Sequence, residues 1–194
     1  LDYYLQQVIH LCPAYLRDSW HFLDRLKTQP TLPADALVFT VDAVGMYSNI
    51  NTAHALETMQ NWFDLHSADL AADYPLDKVL KGLNIIMTHN VFTFGSRHWL
   101  QVNGTAMGTS WACAYATMYY SYHEETALLR FPNLLFYNRL IDDAFVVLRN
   151  SDNAYTNFVA LMNNFGPNGK HLEWAAKDPS PSVHFLDITV ELTD

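Results

Sequence analysis

One short apolar run that ends in an acid constrains the fold of this chain more than any other feature. Residues 36–41 (ALVFTV) are almost continuously apolar, and Asp42 follows directly. Such a run predicts a strand that is covered on both faces. A carboxylate at the end of a buried strand costs several kcal/mol of desolvation unless a cation or hydrogen-bond donors compensate it. Asp42 is therefore a candidate functional residue.

A second acidic feature lies between two further apolar runs. Asp142 and Asp143 separate residues 134–137 from residues 144–148, which predicts a hairpin with two acids at its turn. Taken alone, two adjacent acids at a hairpin tip indicate a solvated turn. A central strand and a neighbouring hairpin can, however, bring their ends to one point, where three carboxylates would repel one another and favour divalent cations. Hard oxygen ligands select Mg²⁺ or Mn²⁺, and two such ions about 3.5–4 Å apart serve phosphoryl transfer.

The remaining apolar patterns predict an α+β fold. Helices are expected over the first thirty residues with a break near Pro13, and over 51–66, 75–88, 109–129 and 152–165. Hairpins are expected at 92–102 and 134–148, followed by a strand pair at 172–174 and 183–192. We predict a largely antiparallel sheet with helices packed on one face. A helical segment at 1–34 would precede the main domain at 35–194.

Composition excludes several other classes of protein. No apolar run approaches the about 18–20 residues that a membrane-spanning helix needs. The nine histidines show no i, i+4 pairs and no cysteine partners, which argues against a zinc site. Cys12 and Cys113 are too few for a disulfide framework, and we expect reduced core thiols. The net charge of −9 is opposite to that of a typical free-standing nucleic-acid-binding domain.

Four sequence blocks give the chain a family resemblance. They are VFTVDAVGMYSNIN, QVNGTAMGTSWACAYA, YNRLIDDAFVVL and the pair HLEW and VHFLDITVEL. Their order is that of reverse transcriptases, and the chain most resembles the Penelope-like retroelement group, which is similar to the telomerase catalytic subunit. The segments RDSWHFLDRL and HNVFTFGSRHWLQ also fit the spacing of that group. The resemblance extends from about residue 17 to residue 192.

The resemblance implies the palm of an RNA-directed DNA polymerase with partial fingers and no thumb. Asp42 would coordinate two Mg²⁺ or Mn²⁺ ions, with the backbone carbonyl of Ala43 nearby. Asp142 would be the second metal ligand, with Asp143 close to it. The implied partners are an RNA template, a DNA primer and a deoxynucleoside triphosphate, and the implied location is nuclear. No membrane partner is expected.

The resemblance also implies nucleotide-binding residues, each with a simpler alternative. Tyr47 would lie under the incoming sugar and exclude a 2′-hydroxyl, or it is a core aromatic residue. Gly104 and Gly108 would let the backbone approach a nucleotide or template base, or they form a loop or a packing contact. Gln101 would contact substrate or template, or it is an exposed strand residue.

Basic residues near the acids leave further alternatives open. Lys170 or Lys177 is a candidate general acid for the pyrophosphate leaving group, and the sequence does not choose between them. Solvated lysines are the simpler interpretation of both. Arg139 would offset the acidic cluster or contact a phosphate, and a surface salt bridge is the alternative.

Two positions depart from the family pattern. Ser110 stands where the family usually has proline, and Leu140 stands where it has an aromatic residue. The basic residues of the fingers would precede residue 1, and the thumb would follow residue 194. These features leave a second hypothesis, in which the chain is a reverse-transcriptase-derived but catalytically silent subunit that binds protein partners in a larger assembly.

Overall fold

Helices and strands alternate along the chain in the computed structural model, which describes residues 1–165 and 171–192. The α-helices of these residues are α1 (Asp2–Val8), α2 (Ser19–Lys27), α3 (Met46–Asn49), α4 (Thr52–Leu65), α5 (Leu76–Thr88), α6 (Ala112–Thr126) and α7 (Ala154–Asn163). The strands are β1 (Ala36–Ala43), β2 (Val91–Phe94), β3 (Arg97–Leu100), β4 (Leu134–Leu140), β5 (Asp143–Arg149), β6 (Trp174–Ala176), β7 (Ser182–Phe185) and β8 (Ile188–Glu191). These strands pair antiparallel. The prediction of a mixed helical and antiparallel-sheet fold is confirmed.

Contacts divide the chain into two compact units, each built from separated segments. The first unit comprises Leu1–Cys12 and Gly45–Tyr122, and the second comprises Pro13–Val44 and the chain from His123 onward. The predicted division at residue 34, between a helical lead-in and a palm, stays a prediction. No helix in the described ranges is long and apolar enough to cross a bilayer.

The second unit contains a four-stranded sheet in the order β4-β5-β1-β6. The central strand β1 is mostly buried, with Phe39 fully buried and Val41 nearly so, whereas Asp42 at its end is exposed. Helix α2 packs on this sheet through Phe22, whose ring centroid lies 5.0 Å from that of Phe145 and 4.8 Å from that of Phe185. The hydrophobic core of the unit therefore supports the strand that ends in Asp42.

Helix starts follow the capping signals of the sequence. The Asp18 carboxylate accepts a hydrogen bond of 2.8 Å from the backbone amide of His21, and the Asn51 side chain accepts one of 2.9 Å from His54. Trp20 on α2 is 75% exposed, whereas Phe22 on the same helix is fully buried. Residues two positions apart point to nearly opposite sides of a helix, so burial of Phe22 leaves Trp20 in solvent.

The last predicted strand pair is wrong. Strand β6 pairs with β1 rather than with the segment at 183–192. That segment instead folds back on itself as the β7–β8 hairpin, with Leu186 at φ +54° in its turn. A leucine in the left-handed region carries no turn signal, so the apolar run concealed the break.

The first unit packs α4 and α5 around buried side chains. Trp62 and Phe63 on α4 are fully buried, as is Leu83 on α5. The β2–β3 hairpin of this unit has all eight strand residues exposed. Cys12 is buried, as predicted, but Cys113 is exposed, so the predicted core position of Cys113 is wrong.

Candidate active site

Strand pairing brings the three predicted acids to one end of the sheet in the second unit. Asp42 of β1 lies directly opposite Asp143 of β5, and opposite residues of an antiparallel pair have Cα atoms about 4.5–5.5 Å apart with side chains on the same face. The backbone amide of Ala43 donates a hydrogen bond of 2.9 Å to the carbonyl oxygen of Asp142. Asp42 therefore lies with Asp142 and Asp143, although it precedes them by about a hundred positions in the sequence.

The three carboxyl groups are close enough to interact electrostatically. Burial, followed by the negative charges of Asp142 and Asp42, raises the pKa of Asp143 above its usual range. The ammonium group of Lys177 opposes this rise in pKa. Among residues 1–165 and 171–192, the site is thus an anionic cluster with the ammonium group of Lys177 within electrostatic reach.

The turn between β4 and β5 holds Asp142 in a strained backbone. Leu140 pairs with Asp143, so Ile141 and Asp142 are the two central residues of the turn, and Asp143 is already the first residue of β5. The predicted turn position is therefore wrong for Asp143. Ile141 has φ +54°, a region that β-branched residues rarely occupy. Such strain persists only where surrounding contacts impose it.

A buried ion pair supplies those contacts. The Arg139 guanidinium donates from Nη1 to the carbonyl oxygen of Ile141 at 2.5 Å. It also donates from Nε and Nη2 to the two carboxylate oxygens of Glu124, at 2.6 and 3.0 Å. The Tyr137 hydroxyl donates to the same carboxylate at 2.7 Å. This network connects the end of α6 to the turn that carries Asp142.

Burial excludes both predicted roles of Arg139 at a surface. Its side chain is 1% exposed and that of Glu124 is fully buried, so Arg139 is neither a surface salt bridge nor free to contact a phosphate. The sequence analysis missed Glu124. Its one signal is its position four residues after the buried Tyr120 on α6, which places the acid on the buried face of the helix.

The chemistry of the acids fits a hard divalent cation. Carboxylate oxygens are the ligands that Mg²⁺ and Mn²⁺ prefer. Burial, and after it repulsion from Asp142 and Asp42, raises the pKa of Asp143, and a cation would relieve that repulsion. Among residues 1–165 and 171–192, no three acidic, histidine or cysteine side chains are arranged as a ready-made metal site. The fit therefore rests on ligand type and charge.

Two of the predicted nucleotide-binding residues meet within the first unit. Gly104 has φ +77°, and a Cβ atom at this position would lie 2.6 Å from the carbonyl oxygen of Tyr47. The amide of Thr105 donates to that same oxygen at 2.7 Å. Glycine is thus required here by packing against the backbone of α3. Tyr47 is half-buried, and its hydroxyl donates to Cys113 Sγ at 3.2 Å.

The other two predicted nucleotide-binding residues, Gln101 and Gly108, take no part in this contact. Gln101 is half-buried, and its side-chain oxygen accepts a hydrogen bond of 2.8 Å from the Asn90 amide group. Gly108 has φ +85° with nothing within 4 Å of an ideal Cβ, so the backbone torsion alone favours glycine. Nucleotide contacts of Tyr47, Gln101, Gly104 and Gly108 stay predictions.

One of the two candidate lysines is near the acids. Lys177 follows β6, and its backbone amide donates to the Thr40 carbonyl of β1 at 2.9 Å. Its side chain is close enough to affect the pKa of Asp143. Lys170 lies outside the described residues. The metal-binding role of the Ala43 carbonyl stays a prediction.

The described residues combine helices with an antiparallel sheet whose inner strand β1 and adjacent hairpin turn carry the acids, and this fold has solved counterparts. Solved telomerase structures share it. Apo telomerase from Candida tropicalis, truncated from its C-terminal domain, is 16% identical with a TM-score of 0.66, over 96% of this chain and 43% of that chain. Apo telomerase from the same yeast is 14% identical with a TM-score of 0.68, over 96% of this chain and 38% of that chain.

A third similar structure is a complex. Telomerase from Candida albicans with a TWJ fragment of telomeric RNA is 14% identical with a TM-score of 0.66, over 100% of this chain and 37% of that chain. The chain thus spans about two fifths of the length of these telomerases. Comparison with protein-family models gives no match, and comparison with curated proteins gives none either. At this identity the likeness establishes the fold.

Proposed function

We propose that the chain is the palm of an RNA-directed DNA polymerase of the Penelope-like type. The observation that carries this proposal is the position of Asp42 opposite Asp143, with Asp142 bonded through its carbonyl to Ala43. The fold shared with telomerase supports it, as do the four ordered sequence blocks. An RNA template, a DNA primer and a deoxynucleoside triphosphate are the proposed partners, and the nucleus is the proposed location.

The proposed reaction is nucleotidyl transfer. The primer 3′-oxygen forms a bond to the α-phosphorus, the bond from that phosphorus to the pyrophosphate oxygen breaks, and the hydroxyl proton passes to water. Asp42 and Asp142, with the carbonyl of Ala43, would hold two Mg²⁺ or Mn²⁺ ions. When bound, these ions neutralise the charge that develops on the phosphate oxygens.

Other residues of the chain have auxiliary roles in this proposal. Asp143 adds negative charge beside Asp42 and so strengthens cation binding. Lys177 is the favoured proton donor to the pyrophosphate because its ammonium group is within electrostatic reach of Asp143. Lys170 is the other candidate. The Tyr47 ring would lie under the incoming sugar and exclude a 2′-hydroxyl.

Replacing Asp42 by asparagine tests the catalytic assignment. Asp42→Asn in the full-length protein should reduce templated primer extension to background, since it removes a ligand charge while keeping the side-chain size. Asp152→Asn, at an exposed acid just after β5, is the matched control and should extend primers normally. Undiminished synthesis by Asp42→Asn would refute the assignment.

Calorimetry separates this function from a catalytically silent role. Titration of the chain with Mn²⁺ and a deoxynucleotide should give heat of binding that is lost in Asp42→Asn. Absence of binding in the wild-type chain, together with a stable protein partner, would instead indicate a structural subunit.

A further inference from the structure

The β2–β3 hairpin of the first unit carries its aromatic side chains on one face. Phe92 lies opposite Trp99, and Phe94 lies opposite Arg97. Directly opposite residues share a face, as do residues two apart along a strand. A hydrogen bond of 3.0 Å between Thr93 and His98 joins the strands on the other face. We call the first set the aromatic face; it consists of Phe92, Phe94, Arg97 and Trp99.

The exposure of these rings is not explained by folding. Phe94 is 78% exposed, Phe92 50% and Trp99 48%. Gly95, with φ +62°, begins a two-residue turn that leaves Phe94 next to the hairpin tip. Several large apolar side chains exposed side by side mark an interaction surface more often than a solvated one.

Charge around the hairpin indicates the kind of partner. Residues 78–123 contain none of the 20 acidic residues of the chain, although they make up almost a quarter of its length. They contain three basic residues, namely Lys78, Lys81 and Arg97. This segment therefore departs from the acidic balance of the whole chain and favours an anionic partner.

We propose that the aromatic face binds single-stranded nucleic acid by base stacking. Exposed aromatic rings accept any base because every base has a π-face, and Arg97 supplies a cation for the phosphate backbone. Phe92 and Phe94 are two strand residues apart, about 6.6 Å, so that neighbouring bases of an extended strand can each meet a ring. A protein partner fits less well, since the aromatic face has no aliphatic residue.

This inference deepens the proposed function. It rests on that function only where it identifies the bound strand as the template. Stacking itself needs neither the carboxylates nor a metal ion. Binding can therefore be measured in the presence of a chelator, where nucleotidyl transfer does not occur. Failure of one proposal is in this way distinguishable from failure of the other.

Tryptophan fluorescence of the chain with an unlabelled oligouridine, in chelator, tests the stacking directly. The oligonucleotide should quench part of the emission, and Trp99→Phe should remove that quenching. Trp20→Phe is the matched control because Trp20 is 75% exposed but lies in the second unit, on α2. Quenching that is lost in Trp20→Phe and kept in Trp99→Phe would overturn the proposal.

Fluorescence anisotropy of a labelled oligouridine measures the affinity. Phe94→Ala and Trp99→Ala should each weaken binding about 5- to 150-fold, which corresponds to the roughly 1–3 kcal/mol typical of stacking on one base. Leu100→Ala, on the other face of β3, should change it by less than about twofold. Arg97→Ala should reduce the slope of log affinity against log salt by about 0.7, as expected for one phosphate contact to a single strand.

Three outcomes would overturn the inference. Wild-type affinity in both Phe94→Ala and Trp99→Ala would show that the rings do not stack on bases. Equal affinity for duplex and single strand would show that charge alone governs binding. Self-association that Phe94→Ala abolishes, with oligonucleotide binding intact, would identify the face as a protein interface.

Discussion

Replacing Arg139 by leucine should destabilise the chain strongly. The guanidinium is 1% exposed and donates two hydrogen bonds to the fully buried carboxylate of Glu124, plus one to the Ile141 carbonyl. Removing one member of a buried ion pair costs about 3–5 kcal/mol, because the other charge stays buried without its partner. For a chain of this size we expect Tm to fall by about 6–20 °C.

A double replacement separates the contribution of the ion pair to stability from the contribution of burying the two side chains. Glu124→Leu combined with Arg139→Leu removes both charges and should recover much of the loss, since apolar pairs of similar volume often substitute for buried ion pairs. Arg139→Lys should lie between wild type and Arg139→Leu, because a lysine keeps the charge but not the two-point contact.

Urea denaturation followed by circular dichroism measures these free energies. Arg149→Leu, at the exposed end of β5, is the matched control and should change stability by no more than about 0.5 kcal/mol. A loss below about 1 kcal/mol for Arg139→Leu, the range of exposed salt bridges, would refute the reasoning. A double variant no more stable than the single one would refute it too.

His123, Gly104 and the carboxylates give three further predictions. Burial lowers the pKa of His123, so as the pH falls this histidine binds a proton in the unfolded chain before it does so in the folded chain. The unfolding free energy should therefore decrease below about pH 6.5, by at most about 1.4 kcal/mol per pH unit. His123→Gln should reduce that slope in urea midpoints; an unchanged slope would contradict this. Gly104→Ala would place a Cβ atom 2.6 Å from a carbonyl oxygen and should lower Tm more than Gly95→Ala, whose Cβ atom would meet open space. Gly95→Ala should reduce the unfolding free energy by about 1–2 kcal/mol through its backbone torsion alone. Equal losses in the two variants would contradict the packing argument. Mg²⁺ at about 100 times its Kd should raise the unfolding free energy by about 2.7 kcal/mol, and a gain kept in Asp42→Asn would exclude Asp42 as a ligand.

Local signals in the sequence predicted the elements that local interactions determine. Asp18 and Asn51 cap their helices through amides three residues away, and the apolar run before Asp42 forms the central strand. The partner of β6 and the turn at Leu186 were not predictable in this way. Both depend on contacts with distant strands, and a left-handed leucine carries no signal of its own.

The candidate site was likewise predictable from the sequence only in part. Their residue types and spacing predicted that Asp42, Asp142 and Asp143 meet. The support beneath them was not predictable, because a glutamate on an aromatic-rich helix and an arginine in an apolar strand each resemble ordinary exposed residues. Pairing of Glu124 with Arg139 becomes visible only when α6 and β4 are folded together.

The hydrogen bonds around the Glu124–Arg139 ion pair also counteract repulsion between the acids. Like charges at Asp42, Asp142 and Asp143 oppose the approach of β1 and the β4–β5 turn, and after burial they are the main cause of the raised pKa of Asp143. Hydrogen bonds from Ala43 to Asp142 and from Arg139 to Ile141 act against this repulsion and hold the left-handed isoleucine. Because Glu124 neutralises Arg139, the guanidinium can serve as a rigid donor inside the core rather than as a counterion for the acids. In the proposed function, the carboxylates would use their negative charge to hold the divalent cations.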